Sequence, residues 1–140
     1  MKIKAILSLV LVLALAFSLV GCAKRVKKSE AKETAEAFLD AVASGDFEGA
    51  KGYLHPEKPL NVEKYFDDKE ALIGIDFQKG IEIKRYTSNS SSAYDSEVDG
   101  SEYDLEANII VDGVALELDI EIVRNDLGYG IYSFDIDYND

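Results

Sequence analysis

The chain has 140 residues, 15 Lys and Arg against 27 Asp and Glu, one His, one Cys and no Trp. A lone cysteine excludes an intramolecular disulfide, and one Cys with one His excludes a Cys/His metal centre. A net charge of −12 argues against nucleic acid as a partner, because binding to phosphates needs clustered Lys and Arg.

Lys2 and Lys4 form a positive start, and Ile6 to Val20 an apolar run of fifteen positions interrupted only by Ser8 and Ser18. A spanning helix needs roughly 20 apolar residues, so this run is short for one and has the flanks of a secretory signal. It ends in Leu19-Val20-Gly21-Cys22. That stretch resembles the lipobox of bacterial lipoprotein signal peptides, with Leu at −3, a small residue at −1 and Cys at +1. The resemblance implies that residues 1–21 are removed. Cys22 then becomes a lipidated N-terminus that holds the chain in membrane lipid on the outer face of the cell membrane. Ala23 to Lys28 carries four positive charges in six residues. One acyl chain anchors only marginally, and each basic residue near an anionic surface adds about 1 kcal/mol. Residues 22–28 therefore read as a lipidated Cys and a basic tether, about 20 Å long when extended. Residues 29–140 are long enough for one domain with its own core.

The charge is unevenly placed. Residues 89–140 hold 14 acidic side chains and a single basic one, Arg124.

Ser29 is positioned to cap a helix running to about Ser44, with Gly45 beyond it. Ala31, Ala35, Phe38, Leu39 and Val42 recur at helical spacing on its apolar face. Asp46 caps a second, shorter helix with Phe47, Ala50, Tyr53 and Leu54 inward, weakened by Gly49 and Gly52. Pro56 and Pro59 bracket a loop. Asn61 then starts a third helix to Ile73, with Val62, Tyr65, Phe66, Leu72 and Ile73 available for burial and Gly74 as its stop.

The period then changes to two. Ile81, Ile83 and Arg85 alternate with Glu82, Lys84 and Tyr86, which leaves the inner face of a first strand ambiguous. Ser88-Asn89-Ser90-Ser91-Ser92 reads as a loop. Asp112-Gly113 between alternating apolar residues is a hairpin signal. A two-residue turn there pairs Val111 with Val114, Ile109 with Leu116, Ala107 with Leu118, Leu105 with Ile120 and Tyr103 with Ile122, all apolar and on one face. A last strand from about Gly130 to Tyr138 carries Tyr132, Phe134, Ile136 and Tyr138 on that face, antiparallel to the strand before it. Three N-terminal helices packed on a curved antiparallel sheet of about four strands make an α+β fold.

Ala35-Glu36-Ala37-Phe38-Leu39-Asp40-Ala41, Ser44-Gly45-Asp46-Phe47, Ala50, Tyr53-Leu54 and the closing Gly128-Tyr129-Gly130-Ile131-Tyr132 resemble the nuclear-transport-factor-2-like superfamily. Within it they look most like its small bacterial lipoproteins of unknown function. The resemblance spans nearly all of residues 29–138 and implies a cone of sheet around helices. A Trp frequent in that family's final strand is absent, with Tyr129 or Tyr132 in its place. A cystatin-like or otherwise open α+β sandwich is the alternative.

The same register sets Asp104 opposite Glu121, Glu106 opposite Asp119 and Asn108 opposite Glu117 on the outer face. The last strand adds Asp135 beside Asp119 and Asp137 beside Glu117. Directly opposed like charges destabilise a sheet unless a cation or basic partner compensates. The face is thus a candidate surface for a basic protein or a cation, or else a solvated face that keeps the protein soluble.

Asp95, Glu97 and Asp99 begin a stretch with acids at EF-hand positions 1, 3, 5 and 12 and Gly100 at position 6. Glu at positions 3 and 8, together with flanks that read as strand and loop, leaves at most a loose, weak calcium site at these three residues. No other cofactor is indicated. His55, in a Leu-His-Pro helix exit, reads as a turn or surface residue, since no motif places a carboxylate or nucleophile with it. Tyr53, Tyr65, Tyr103 and Tyr132 belong to an aromatic set expected between helices and sheet, where they would pack the core or line the mouth of a ligand pocket.

These readings point to a membrane-anchored extracytoplasmic lipoprotein with a non-enzymatic binding or interaction domain. The alternative is a small-molecule-binding cone or an acid–base enzyme of ketosteroid-isomerase-like architecture. Replacing Cys22 with Ser is expected to release the protein from the membrane or leave it unprocessed. Fractionation with mass measurement of the mature chain checks this, and unchanged membrane retention and processing contradict it.

Overall fold

A computed structural model describes residues 25–139, in which three helices precede a four-stranded antiparallel sheet. The apolar run and Cys22 lie outside the described residues. Helix α1 (Lys28–Ala43) starts one turn position before Ser29, which is therefore inside the helix and not its cap. Glu30 turns back instead, its Oε2 accepting from the Lys27 amide at 3.4 Å. The apolar positions read at helical spacing are all buried, joined by Thr34. Helix α2 (Phe47–Lys51) is capped by Asp46, which accepts from the Gly49 amide at 2.9 Å. Helix α3 (Val62–Ile73) is capped by Asn61, accepting from the Lys64 amide at 3.1 Å. It stops at Gly74, which takes the left-handed φ of 78°. Val62 and Phe66 are buried, but Leu72, expected inward, is 76% exposed. A short 3-10 turn, Phe77–Lys79, buries Phe77 before the sheet begins.

Strands β1 (Ile81–Asp95), β2 (Gly100–Val111), β3 (Val114–Asn125) and β4 (Gly128–Tyr138) lie in the order 1-2-3-4. The β2–β3 pairing agrees with the deduced register at every position from Tyr103–Ile122 to Val111–Val114. The turn has the geometry its residues favour: Asp112 and Gly113 both take positive φ, 50° and 76°, as a hairpin turn matched to strand twist requires. β4 pairs Asp119 with Asp135 and Glu117 with Asp137, again as deduced.

Three departures follow from bulges and pairing. First, Ser88 to Ser92 is strand, not loop: Ser88, Ser90 and Ser92 stand opposite Glu106, Asp104 and Glu102. Pairing to β2 overrides the turn bias of a serine run. Second, a register shift between Ile83 and Arg85 settles the ambiguous strand. It lets Ile81, Ile83 and then Tyr86 pack against the core, an uneven spacing that no two-residue period describes. Third, β4 shifts register between Glu121 and Ile122, so Ile131 and not Tyr132 stands opposite Ile122. Ile131, Phe134 and Ile136 thus face inward, and Tyr132 is carried off that face by the extra residue.

The inner residues of the sheet and the buried residues of α1, α3 and the 3-10 turn form one cluster. Phe134 lies 5.0 Å from Phe38 and 4.7 Å from Tyr65 between ring centres, and Phe66 lies 4.8 Å from Phe77. Leu54 bridges to Ile131, with the Ile131 amide donating to Tyr53 O and the His55 amide to Ile131 O, both at 2.8 Å. That approach requires Gly130, where a Cβ would come within 2.6 Å of the Leu54–His55 backbone.

The segment expected as a tether is docked from Arg25 onward. Val26 is buried, and its amide donates to Ser101 Oγ at 2.9 Å. Arg124, 6% exposed, forks onto both Glu30 carboxylate oxygens, donates to Arg25 O at 3.3 Å and stacks 4.5 Å over the Tyr129 ring. Removing one partner of a buried pair strands the other charge and costs about 3–5 kcal/mol; the partly exposed Glu30 puts this case below that range. Glu30→Ala is expected to lower stability by roughly 2 kcal/mol. Arg124→Met, which removes the buried charge, keeps apolar packing and leaves unpaired only the partly exposed Glu30, should cost less. Denaturant unfolding of both variants checks the order, and a larger loss for Arg124→Met contradicts it.

Candidate functional site

The outer face of the sheet carries the acidic set where the register put it. Asp104 faces Glu121, Glu106 faces Asp119, Asp119 faces Asp135 and Glu117 faces Asp137 across adjacent strands. Neutral partners take some of these groups: Ser90 Oγ donates to Asp104 at 3.2 Å and Ser133 Oγ to Glu121 at 3.1 Å. Asp135 receives the Lys69 ammonium at 3.1 Å and the Tyr65 hydroxyl at 3.0 Å. Among the described residues, no salt bridge reaches Glu106, Glu117, Asp119 or Asp137. Ser90, Asp104, Glu106, Asp119, Glu121 and Asp135 surround a depression of about 410 Å³.

Glu102 belongs to this set and was missed from the sequence. The deduced hairpin stopped at Tyr103, whereas β2 runs on to Gly100 and sets Glu102 opposite buried Val123. Its position two residues from Asp104 on an alternating strand was the available signal. Burial, then a hydrogen bond with Asp104 and the charges of Asp104, Glu121 and Asp95, push the Glu102 carboxyl up to about 7. Burial and the Asp104 charge also raise Glu121. Asp135 goes the other way: burial would raise it, but the hydrogen bonds of Lys69 and Tyr65 and the Lys69 charge hold it below its ordinary value.

The four tyrosines do not form one site. Tyr103 is buried in the core, with its hydroxyl donating to Asn89 at 3.1 Å, and Tyr53 is on the surface at 36% exposure. Tyr65 and Tyr132 do come together, at a second depression of about 260 Å³ beside β4, lined also by Leu54, Leu60, Ile131 and Phe134. Burial, and then the hydrogen bond to Asp135, push the Tyr65 phenol up, so it stays protonated. It also accepts from the Ile136 amide at 3.3 Å. The one charged residue lining this depression is Lys58, whose ammonium sits 4.7 Å over the Tyr132 ring.

His55 is not a surface residue: it is 1% exposed. Nδ1 accepts from the Glu57 amide at 3.1 Å, and Nε2 lies 3.1 Å from Asn125 Oδ1 and 3.2 Å from Gly128 O. Two acceptors at Nε2 and a donor at Nδ1 assign the proton to Nε2. The ring ties the exit of α2 to the β3–β4 turn, with both nitrogens committed.

Asp95 ends β1, paired with Gly100, and Glu97 and Asp99 lie in the turn between β1 and β2. Asp95 accepts from the Glu97 amide at 2.7 Å, Asp99 accepts from the Tyr94 hydroxyl at 2.7 Å, and Asp104 and Glu106 are on β2. The twelve-residue spacing of an EF-hand thus spans a hairpin, not a loop between helices. Among the described residues, no group of three or more His, Cys, Asp or Glu side chains is arranged to hold a metal ion. Among those residues, too, no helix is long and apolar enough to cross a membrane.

The raised Glu102 gives a signed pH dependence. Between its ordinary 4.5 and about 7 the native state holds a proton that the unfolded chain has released, so its contribution to stability falls as pH rises through that window. Asp135 acts lower, its contribution being present above 3.8 and lost as pH falls below it. Glu102→Gln is therefore expected to raise stability at pH 8 and change it little at pH 4.5. Urea unfolding at the two pH values checks this, and equal shifts at both contradict it. Compared with models of protein families, with characterised proteins and with solved structures, the chain finds no match.

Proposed function

We propose that this chain is a lipid-anchored extracytoplasmic binding module. Cys22 holds it to the outer face of the cell membrane, and the outer face of its sheet is presented to a basic protein or other polycation. The observation that carries this reading is the set of four opposed like-charge pairs on β2, β3 and β4. Each such pair costs about 0.2–1 kcal/mol. Lys69 is the one cation bonded to the face among the described residues. A cationic partner relieves that repulsion, and the gain is available only to a partner of that sign.

Three helices before an antiparallel meander, with the α2 exit bridged to β4, support a nuclear-transport-factor-2-like arrangement, with a cystatin-like sandwich as the other. The space between helices and sheet is packed with aromatic rings, and both His55 nitrogens have structural partners. Both observations favour binding over a ligand-holding cone or an acid–base enzyme. Two residues, Ala23 and Lys24, separate Cys22 from docked Arg25, three Cα-to-Cα steps and so a reach of roughly 11 Å at most. An anchored domain would therefore sit close to the lipid at the sheet end that bears Ser101 and Arg124.

The test is titration with decalysine at low and high ionic strength, for the native chain and for the combined variant Glu106→Gln, Asp119→Asn, Asp137→Asn. The native chain is expected to bind at low salt and lose affinity steeply as salt rises. The variant is expected to bind at least about tenfold more weakly and to melt at a higher temperature at low salt. No binding by the native chain at low salt, or equal binding by the variant, sinks the proposal.

A further inference from the structure

Sheet edges expose backbone donors and acceptors that a folded chain must cover or leave open to a partner. On β4 the covering is incomplete, and where it stops is informative. The Ile131 amide and carbonyl are taken by Tyr53 and His55. The Ile136 amide donates to the Tyr65 hydroxyl at 3.3 Å, and its carbonyl accepts from Lys69 at 2.6 Å. Both residues therefore point their backbone groups away from β3. Phe134 pairs with Ile120 two places from the Ile136–Leu118 pair. The alternation of an antiparallel ladder thus turns its N–H and C=O to the same free edge. Among the described residues, no side chain or loop backbone hydrogen-bonds to either group.

This open stretch, roughly 15 Å from Ile131 to Ile136, borders both depressions. Ser133 and Phe134 line the apolar one on the inner side and the acidic one on the outer side. A residue paired with Phe134 through both hydrogen bonds would send its side chain to the Phe134 side, into the space between Leu54, Leu60, Tyr65 and Tyr132. Its two neighbours would point the other way, beside Asp135, Asp119 and Ser133, because successive side chains on a strand alternate. The apolar space suits one medium-sized side chain, and the outer face suits positive charge.

We infer that the β4 edge at Phe134 accepts an extended basic–apolar–basic peptide segment as an added strand. The inference rests on the basic-partner reading of the acidic face and specifies how that partner docks: main-chain pairing at Phe134, one apolar anchor, and flanking Lys or Arg over the acids. The covers at Ile131 and Ile136 limit the added strand to about three residues. The site therefore selects a short motif and cannot template long strand addition.

The experiment uses the full chain in neutral detergent, isotopically labelled, with Ac-Lys-Leu-Lys-NH2 as probe. Three analogues accompany it: one with the Lys–Leu amide replaced by an ester, Ac-Gly-Leu-Gly-NH2 and Ac-Glu-Leu-Glu-NH2. Expected are amide shifts at Phe134 and Tyr132 with the Lys peptide, at least fivefold weaker binding of the ester, weaker binding of the Gly peptide, and none of the Glu peptide at millimolar concentration. Leu60→Gln, at a surface-accessible position, should weaken the Lys peptide at least fivefold without unfolding the chain. If the Lys peptide shifts Glu106 and Asp119 but leaves Phe134 unmoved, or if the ester binds as well as the amide, the inference falls while the basic-partner reading stands. If the Gly peptide binds at Phe134 as tightly as the Lys peptide, the flanking charges contribute nothing there and the inference falls, whereas the basic-partner reading falls only on the salt-dependent decalysine titration.

Discussion

The register of the β2–β3 hairpin is the constraint on which the rest of the molecule depends. Leu105, Ala107, Ile109, Val111, Leu116, Leu118, Ile120 and Ile122 are all buried on one face of that pair. Each large side chain so buried contributes about 1.5–3 kcal/mol, so together they outweigh the like-charge repulsion on the other face, at most about 1 kcal/mol for each opposed pair. A slip of one residue would turn that apolar set to water and the acids inward. The acidic face is thus held in place by the apolar one. Its carboxylates stand opposite one another because the core requires the register that puts them there, and the Asp112-Gly113 turn admits no other.

That logic explains which parts of the fold were legible in the sequence. The caps Asp46 and Asn61, the stop at Gly74, the hairpin and the β4 pairing are local signals that agree with the tertiary structure. What was not legible depends on breaks in period. A bulge near Lys84 makes Ile83 and Tyr86 co-facial, and another in β4 exchanges Tyr132 for Ile131. A bulge carries no composition signature here; it is decided by what the neighbouring strand and helices need. Ser88 to Ser92 shows a related limit, because its strand character comes from β2 beside it and not from serine. His55 was misplaced because its Leu-His-Pro context is a turn, whereas burial comes from Asn125 and Gly128, some seventy residues away. Of the candidate sites, the acidic face followed from alternation alone. The Tyr65–Tyr132 depression depended on the β4 bulge and on where α3 settles, and neither is written locally.

The two edges of the sheet are handled differently. β1 is polar along its second half and has three register shifts, features that discourage pairing with another chain. β4 alternates apolar residues with acids, is regular near its end and is guarded by specific contacts instead: the α2 exit at Ile131, and Tyr65 with Lys69 at Ile136. Guarding by contacts leaves gaps where no contact reaches, whereas guarding by bulges does not. The gap at Phe134 falls between an apolar and an acidic surface because Ser133 and Phe134 line both depressions.

Arg124 shows why the acids remain uncompensated. It is the one cation in residues 89–140, and it lies on the inner side of β3, two residues beyond Ile122 in the inward series. There it pairs with Glu30 in the first turn of α1 and stacks on Tyr129, closing the sheet end over the start of the helix. A guanidinium there satisfies Glu30 and the Arg25 carbonyl at once and covers an aromatic face, a combination that needs the planar, multi-donor group and not an ammonium. The same alternation that hides this cation inside sends every acid from Asp104 to Asp137 on the three paired strands outward. Neutralisation of the outer face must therefore come from Lys69 on α3, which reaches only its margin at Asp135, or from outside the described chain. Charge separation of this kind needs no dedicated binding residues. It follows from placing one arginine in step with the apolar face of a strand and the acids out of step with it.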